Sequence, residues 1–422
     1  MKTNRKGFTL VELIVVMAIF IIVIIVVTQS FNTVLTQASR LFRSENSNTE
    51  GVVGLEMLRH DLNVIGFGLA TEASSVAYTG EAAAGVSASN GTNTNPSLND
   101  PFNGPPRPVA ALERSAAGCG AITTDKPDNT TFTLVPCSDY LALKATSLGA
   151  APAAQRWTYL NGLTPVPVQP AADNPIAGDS VVVLNKNLSA MANSSTLVPT
   201  STHGFYYNFG AAAFANFTGN SASVVNVYGV GNGVLRMPFN RVDYFVAKPA
   251  DTTKMSASCA PGTGVLYRAQ VNNTNGLPTD GMLTYSPLLD CVASMQVVFG
   301  WSTGVSGLID TWTNADGSTV VGSSSAIAGF PQPLLPAGNS SASNGQINIR
   351  NNLKQIKIYI LAQNGAKDSN YTSPSPILVG DATDNAGQSL TYSYDINGAG
   401  WQNYRWKLYR IFVTPKNLAV NQ

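Results

Sequence analysis

Two histidines in 422 residues, and four cysteines with no C-x-x-C pair among them, leave little material for a zinc site or an imidazole-based catalyst. Charge is scarce too. Lys, Arg, Asp and Glu make up 12% of the chain, about half the usual share in soluble proteins. Removing Lys2, Arg5 and Lys6 leaves 22 basic residues against 24 acidic ones, so the body has no overall basic field of the kind that holds nucleic acid through counterion release. No G-x-S-x-G elbow occurs. The closely spaced glycines of "GVGNGVL" at Gly229 are not followed by helical periodicity, which marks a turn between strands rather than a phosphate loop. Proline is absent before Pro96, so nothing of that kind interrupts a long N-terminal helix.

What is present begins at the N-terminus. Residues 13–27 are uninterrupted apolar side chains, and residues 8–27 are broken only by Thr9 and Glu12. At about 1.5 Å per residue this run spans the roughly 30 Å hydrocarbon core of a bilayer. Basic residues precede it and the next one is Arg40, an asymmetry that keeps the N-terminus in the cytoplasm and sends the rest across. The run ends in "VVTQSF" without a small-residue cleavage site. It therefore reads as a single membrane anchor, with the chain from about Gln29 onward on the far side.

Beyond the anchor the helical pattern turns amphipathic. Phe31, Val34, Leu35, Ala38, Leu41 and Phe42 keep helical spacing, and Val52, Leu55, Leu58, Leu62 and Ile65 repeat it. Gly66 and Gly68 mark the stop, giving one helix of about 55 to 60 residues, roughly 85 Å long. Gly51 and Gly54 lie inside it, where they permit a bend or a close approach of the head. Residues 70–108 are rich in Ala, Ser, Asn, Gly and Pro and read as a long surface loop. Short β-type runs then recur at Thr131, Tyr140, Ser180, Ser223, Arg241, Gly264, Cys291, Leu353 and Trp406. Ile356, Ile358 and Ile360 alternate with Gln355, Lys357 and Tyr359, as a strand over a core requires. The fold class is α+β, a long N-terminal helix packed on a mainly antiparallel β head.

Candidate chemistry is thin. His60 stands beside Asp61 in the amphipathic helix, a surface or packing position, and His203 has no partner nearby in sequence. Acidic clusters around Asp310 and Asp381 lack the spacing of a calcium loop and fit turns. Aromatics at Phe205, Tyr206, Tyr207 and Phe209, and at Trp401, Tyr404 and Trp406, suit a β core. Asn-x-Ser/Thr triplets such as those at Asn187 and Asn216 arise by chance in so Asn- and Thr-rich a chain. The chain is thus expected to be no enzyme and to need no cofactor or metal. Cys119, Cys137, Cys259 and Cys291 form two disulfides in an exported chain; three pairings are possible, and short loops favour Cys119–Cys137 and Cys259–Cys291.

The stretch "GFTLVELIVVMAIF" at Gly7 resembles the class III signal of type IV prepilins, and it makes sense of a carboxylate, Glu12, placed at the head of an apolar helix. That resemblance implies cleavage between Gly7 and Phe8 by a prepilin peptidase, N-methylation of Phe8, and pairing of Glu12 with the N-terminal amine of a neighbouring subunit in a filament. A carboxylate that is costly alone in lipid becomes tolerable when paired. Later segments, "LEMLRHDLNVIGFGL", "VDYFVAKPA", "GVLYRAQV", "LLDCVASMQVVFGWS", "LKQIKIYILAQNG" and "YRWKLYRIFVTPKNL", follow the order seen in the PilW family of minor type IV pilins.

The implied organisation is a leader over 1–7, a membrane and filament-core helix over 8–28, its amphipathic half over 29–68, and a head over 69–422 with a loop-rich insertion around 70–240. The implied partners are other minor pilins, the major pilin and the inner membrane, with a tip adhesin as a further candidate. The implied work is priming of pilus assembly near the tip, since a head of about 350 residues would crowd a shaft of closely packed helices. The same signal and helix serve type II secretion pseudopilins of the GspJ kind, the second reading, while a pilin-anchored adhesin or periplasmic enzyme is the third. If Gly7 marks the cut, Gly7→Ala leaves a larger, unprocessed chain in cells containing prepilin peptidase. N-terminal mass spectrometry that still found Phe8 first would contradict the assignment.

Overall fold

A computed structural model describes residues 9–70, 98, 106–112, 123–125, 131–135, 138–161, 164–185, 205–210, 224–273, 283–302, 307–315, 319–321, 349–375, 377–381, 390–394 and 400–418. One helix, α1 (Leu10–Val64), has 55 residues. It ends where backbone freedom is needed, because Gly66 and Gly68 adopt φ of 80° and 66°, a region that costs side-chain-bearing residues energy. The strands in chain order are β1 (Val109–Leu112), β2 (Thr123–Asp125), β3 (Thr131–Leu134), β4 (Tyr140–Ala145), β5 (Trp157–Asn161), β6 (Thr164–Val166), β7 (Asp179–Asn185), β8 (Tyr207–Asn208) and β9 (Val224–Asn232). They continue with β10 (Asn240–Pro249), β11 (Gly264–Val271), β12 (Leu283–Trp301), β13 (Thr311–Asn314), β14 (Thr319–Val321), β15 (Leu353–Gln363), β16 (Ile377–Asp381), β17 (Leu390–Tyr394) and β18 (Trp406–Val413).

Eleven strands form the main sheet, whose spine runs β1-β4-β10-β11-β12-β13-β14; β15 joins β12 to β18, and the β2–β3 pair adds to β10. Every pairing recorded in it is antiparallel. A second sheet, β6-β5-β9-β7-β8, comes from the middle of the chain, and β16–β17 make a separate hairpin. The nine β-type runs read from sequence all lie in strands.

Alternation along the strands sorts the core into layers. Toward α1 point Leu141 and Leu143 of β4, Val242, Tyr244 and Val246 of β10, and Ile356, Ile358 and Ile360 of β15. Away from it point Tyr140, Phe245 and Ala247, which meet Val182, Tyr228 and Val230 of the second sheet. Tyr359 and Leu361 face a third cluster with Trp401 and Tyr404. The side of β15 opposite its isoleucines is therefore covered too, which the alternation alone did not reveal. The segment 70–108 also departs from a plain surface loop: Leu98 is fully buried in the second cluster, and Pro106–Pro108 are buried. Its remaining residues between 71 and 105 lie outside those described.

The seat of the helix is a stripe at i, i+3, i+4 spacing, with Gly51, Gly54, Leu55, Leu58, Asp61, Leu62 and Ile65 all buried. Val52, expected on that stripe, is 56% exposed, because the two glycines, not the valine, bring the helix down onto the sheet. A Cβ at Gly54 would stand 2.5 Å from the Leu288 carbonyl oxygen, and one at Gly51 3.0 Å from the Tyr409 hydroxyl. The close approach replaces any bend as the reason for these glycines. Burying Leu58 and Leu62 completely contributes about 1.5–3 kcal/mol each. In a solvent-exposed helix Gly54→Ala would stabilise by about 1 kcal/mol. Here the sign is expected to reverse, to a loss of about 1–3 kcal/mol through overpacking. Denaturant unfolding of the detergent-solubilised chain, followed by Trp fluorescence, checks it, and a stabilised variant would refute the contact.

Candidate functional site

The first half of α1 is a bare apolar rod. The span Leu10–Phe31 reaches a mean hydropathy of 3.5 over its most apolar 18 residues, and none of it is buried within the chain. Polar groups in this span are satisfied locally, as a bilayer demands. Thr28 Oγ1 donates to the Ile24 carbonyl at 2.8 Å. At the front Thr9 is the N-cap and Glu12 closes a capping box. Glu12 Oε2 accepts from Thr9 N and from Thr9 Oγ1, both at 2.9 Å, while Glu12 N donates to Thr9 Oγ1 at 3.3 Å. Gly7 and Phe8 lie outside the described residues. The local partner is a finding that the spacing of the signal did not announce. In a chain beginning at Phe8, the amide held by Glu12 would be the first peptide N–H, next along the chain to the new amine.

The second half is fastened to the head by a polar clamp. Asp61, 4% exposed, accepts from Arg268 Nε and from Tyr244 Oη, each at 2.7 Å. Tyr244 on β10 and Arg268 on β11 stand directly opposite in register, so the carboxylate of α1 sits over one cross-strand pair. Burial, then the Asp61 charge, pushes the Tyr244 phenol well above its ordinary value, which keeps it a donor. Burial works against the Arg268 charge, but Asp61 and Tyr244 together outweigh it and the net shift is upward. His60 stays at the surface, 67% exposed, with Nδ1 3.4 Å from Asp61 Oδ1. Sequence reasoning passed over Asp61; its place on the buried stripe between Leu58 and Leu62 was the available signal.

The end of α1 is held as firmly. Gly66 N donates to the Lys144 carbonyl at 3.0 Å, and Thr146 N to the Phe67 carbonyl at 2.9 Å. Arg350, 3% exposed, donates from Nη2 to the carbonyls of Leu69 at 2.8 Å and Gly66 at 3.4 Å. A cation here meets the negative end of the helix dipole. Burial pulls Arg350 down to about 10, still charged at neutral pH. Phe67 packs edge-on against Tyr228 of β9, tying the helix exit to the second sheet.

Other candidate residues fall into place around this frame. Cys259 and Cys291 are disulfide-bonded, with Cα atoms 4.9 Å apart; Cys119 and Cys137 lie outside the described residues. The bridged loop is also held by Ala260 N donating to Gln363 Oε1 at 2.6 Å and Trp401 Nε1 donating to the Pro261 carbonyl at 2.6 Å. Among the described residues no group of three His, Cys, Asp or Glu side chains is gathered. The buried acids Asp243 and Asp179 are paired with arginines, Asp243 with Arg241 at 2.6 Å and Asp179 with Arg156 at 2.9 Å, and buried Asp139 accepts from Val297 N at 2.8 Å. Gly229 and Gly231 belong to β9, and the turn beyond them is made by Gly233 at φ 79°. Phe205, Tyr206, Tyr207, Trp401 and Tyr404 are core residues. His203 lies outside the described residues.

The clamp makes a quantitative prediction. Asp61→Ala strands a largely buried guanidinium and is expected to cost about 3 kcal/mol. A double-mutant cycle with Arg268→Ala should return a coupling of at least about 1 kcal/mol, measured by denaturant unfolding. Additive effects would mean that the pair does not hold the helix.

Comparison with known families matches two parts of the chain. Residues 2–28 match the prokaryotic N-terminal methylation motif, and residues 243–417 match the type IV pilus-assembly protein W family. No curated protein and no solved structure matches the chain. The second match begins on β10 beside Tyr244 and ends after β18, so it covers both head partners of Asp61. The chain thus carries a prepilin-type methylation motif at the start of α1 and a pilus-assembly protein W match in its head, and the two together support a type IV pilus minor-pilin-like protein.

Proposed function

We propose that this chain is a minor type IV pilin that primes pilus assembly with other minor pilins and resides at the tip. The observation that carries the reading is the division of α1, whose first half is bare and apolar while its second half is clamped into the head. A rod presented this way is held in the bilayer until other apolar helices replace lipid around it. In this reading residues 1–7 are the leader removed by prepilin peptidase, Phe8 becomes the methylated N-terminus, 8–28 is the filament-core segment, and the head from 69 is periplasmic before assembly. The Cys259–Cys291 bridge suits that oxidising compartment.

Tip placement is supported by bulk. The main sheet carries α1 on one face and a second sheet on the other, a girth that fits where no further subunit stacks above. The major pilin and other minor pilins are the helix partners, and a tip adhesin is a further one. The role is structural rather than catalytic, and Asp61, Asp179 and Asp243 are occupied by arginines.

Glu12 supplies the register. Its carboxylate is already held at the first turn of α1, poised to exchange Thr9 for the amine of a neighbouring subunit. Glu12→Val is expected to be inserted and cleaved normally, yet recovered in sheared filaments about tenfold less, the equivalent of about 1.4 kcal/mol. Deleting the chain should remove pili. Unchanged filament recovery counts against the register, and normal pilus number in the deletion counts against the priming role. Loss of secreted enzymes with pili intact would move the chain to the type II secretion machine.

A further inference from the structure

The main sheet has an edge at β18. Among the described residues β18 pairs only with β15, over eight consecutive residues without a register shift. Natural edge strands are blunted by prolines, bulges, brevity or charged side chains, and of these β18 has only the charges of Lys407 and Arg410. β18 contains no proline and no bulge, and its outward residues Arg410 and Phe412 are exposed, Phe412 by 41%. The opposite edge, β1, has four residues, and Val109, Ala110 and Ala111 in it are fully buried.

Alongside β18 runs α1, and between them lies a groove of about 320 Å³. Leu55, Glu56 and Arg59 line it from the helix, and Arg410, Ile411 and Phe412 from the strand. Leu55 and Ile411 are members of the core between α1 and the main sheet, so this is where that core opens to the surface. Its rim carries two guanidinium groups against one carboxylate; Glu56 is 3.6 Å from Arg59. Val52 lines the groove too; on the solvent side of α1 next to it Val53 and Met57 are exposed, and the helix continues from there toward its bare apolar half.

We infer that the β18 edge and its groove receive an extended segment from a neighbouring pilin-class subunit, one that adds a strand to β18 and presents a carboxylate to Arg59 and Arg410. Strand addition gives affinity through backbone hydrogen bonds and selects side chains at alternate positions. A regular eight-residue edge without proline or bulge, beside one groove lined by Arg59 and Arg410, suits it. The pilin class follows from position, because an occupant of this groove lies against α1, where neighbouring subunits come to rest when α1 packs in a filament. The inference rests on the pilus reading above.

The test replaces Phe412 by the photocrosslinker p-benzoylphenylalanine in the full chain, in the native host, with Ile176, 54% exposed on a different part of the head, as the control position. Ultraviolet irradiation of the sheared pilus fraction should yield from position 412 an adduct with a different chain that itself begins with a prepilin signal, and none from position 176. Arg59→Glu with Arg410→Glu should reduce the adduct about tenfold, with unfolding behaviour unchanged. An adduct with a second copy of this chain, with a protein of another class, or no adduct while the chain is present in pili would each overturn the inference and leave the pilus reading standing. Absence of the chain from the pilus fraction would instead remove the pilus reading, and the inference with it.

Discussion

Everything in this molecule depends on one helix that is bare over Leu10–Phe31 and seated on the head from Gly51 onward. A 55-residue rod has no fixed relation to a globular head unless something stops it rolling and sliding. Two kinds of contact do so here. Leu55, Leu58, Leu62 and Ile65 supply non-directional burial, and two interactions with defined geometry index it: Gly54 seated on the Leu288 backbone, and Asp61 held by Arg268 and Tyr244. Burial alone would tolerate a shift along the sheet. The carboxylate would not, because a displaced Asp61 would leave charge stranded in a site where Arg268 and Tyr244 are themselves largely buried.

The same attachment sets what the free half can do. A bare apolar span needs lipid or other helices around it, and the polar groups of Thr9, Glu12 and Thr28 find partners within the helix itself. Force along the filament axis would reach the head through the stripe, the clamp and the Arg350 cap at the helix exit. Those contacts draw on β10, β11 and the turn before β15, elements spread between Asn240 and Leu353 and far along the chain from α1. The matched pilus-assembly region contains nearly all of them, whereas the second sheet lies in the stretch that no family explains.

Legibility varied with how local the determinant was. The anchor, the helix stop at Gly66 and the nine strongest strands could be read directly, since each follows from composition or period over a few residues. The short strands β1, β2, β5, β6, β8, β13, β14, β16 and β17 could not, because two to five residues carry too little pattern. Val52 was misplaced on the stripe for a physical reason: a hydropathy pattern values the larger side chain, while the sheet selected the absent ones at Gly51 and Gly54.

By itself the sequence determined the membrane span, its orientation signals, the prepilin-type signal at Gly7, and the α+β class, because each rests on contiguous residues and on partition between water and lipid. Only the tertiary structure decided that Asp61 is an anchor rather than a surface neighbour of His60, that Arg350 closes the helix, and that the middle of the chain builds a second sheet. Those outcomes depend on which groups meet across distances of up to about 280 residues in sequence. A buried charge is recognised only once its partner has been placed beside it.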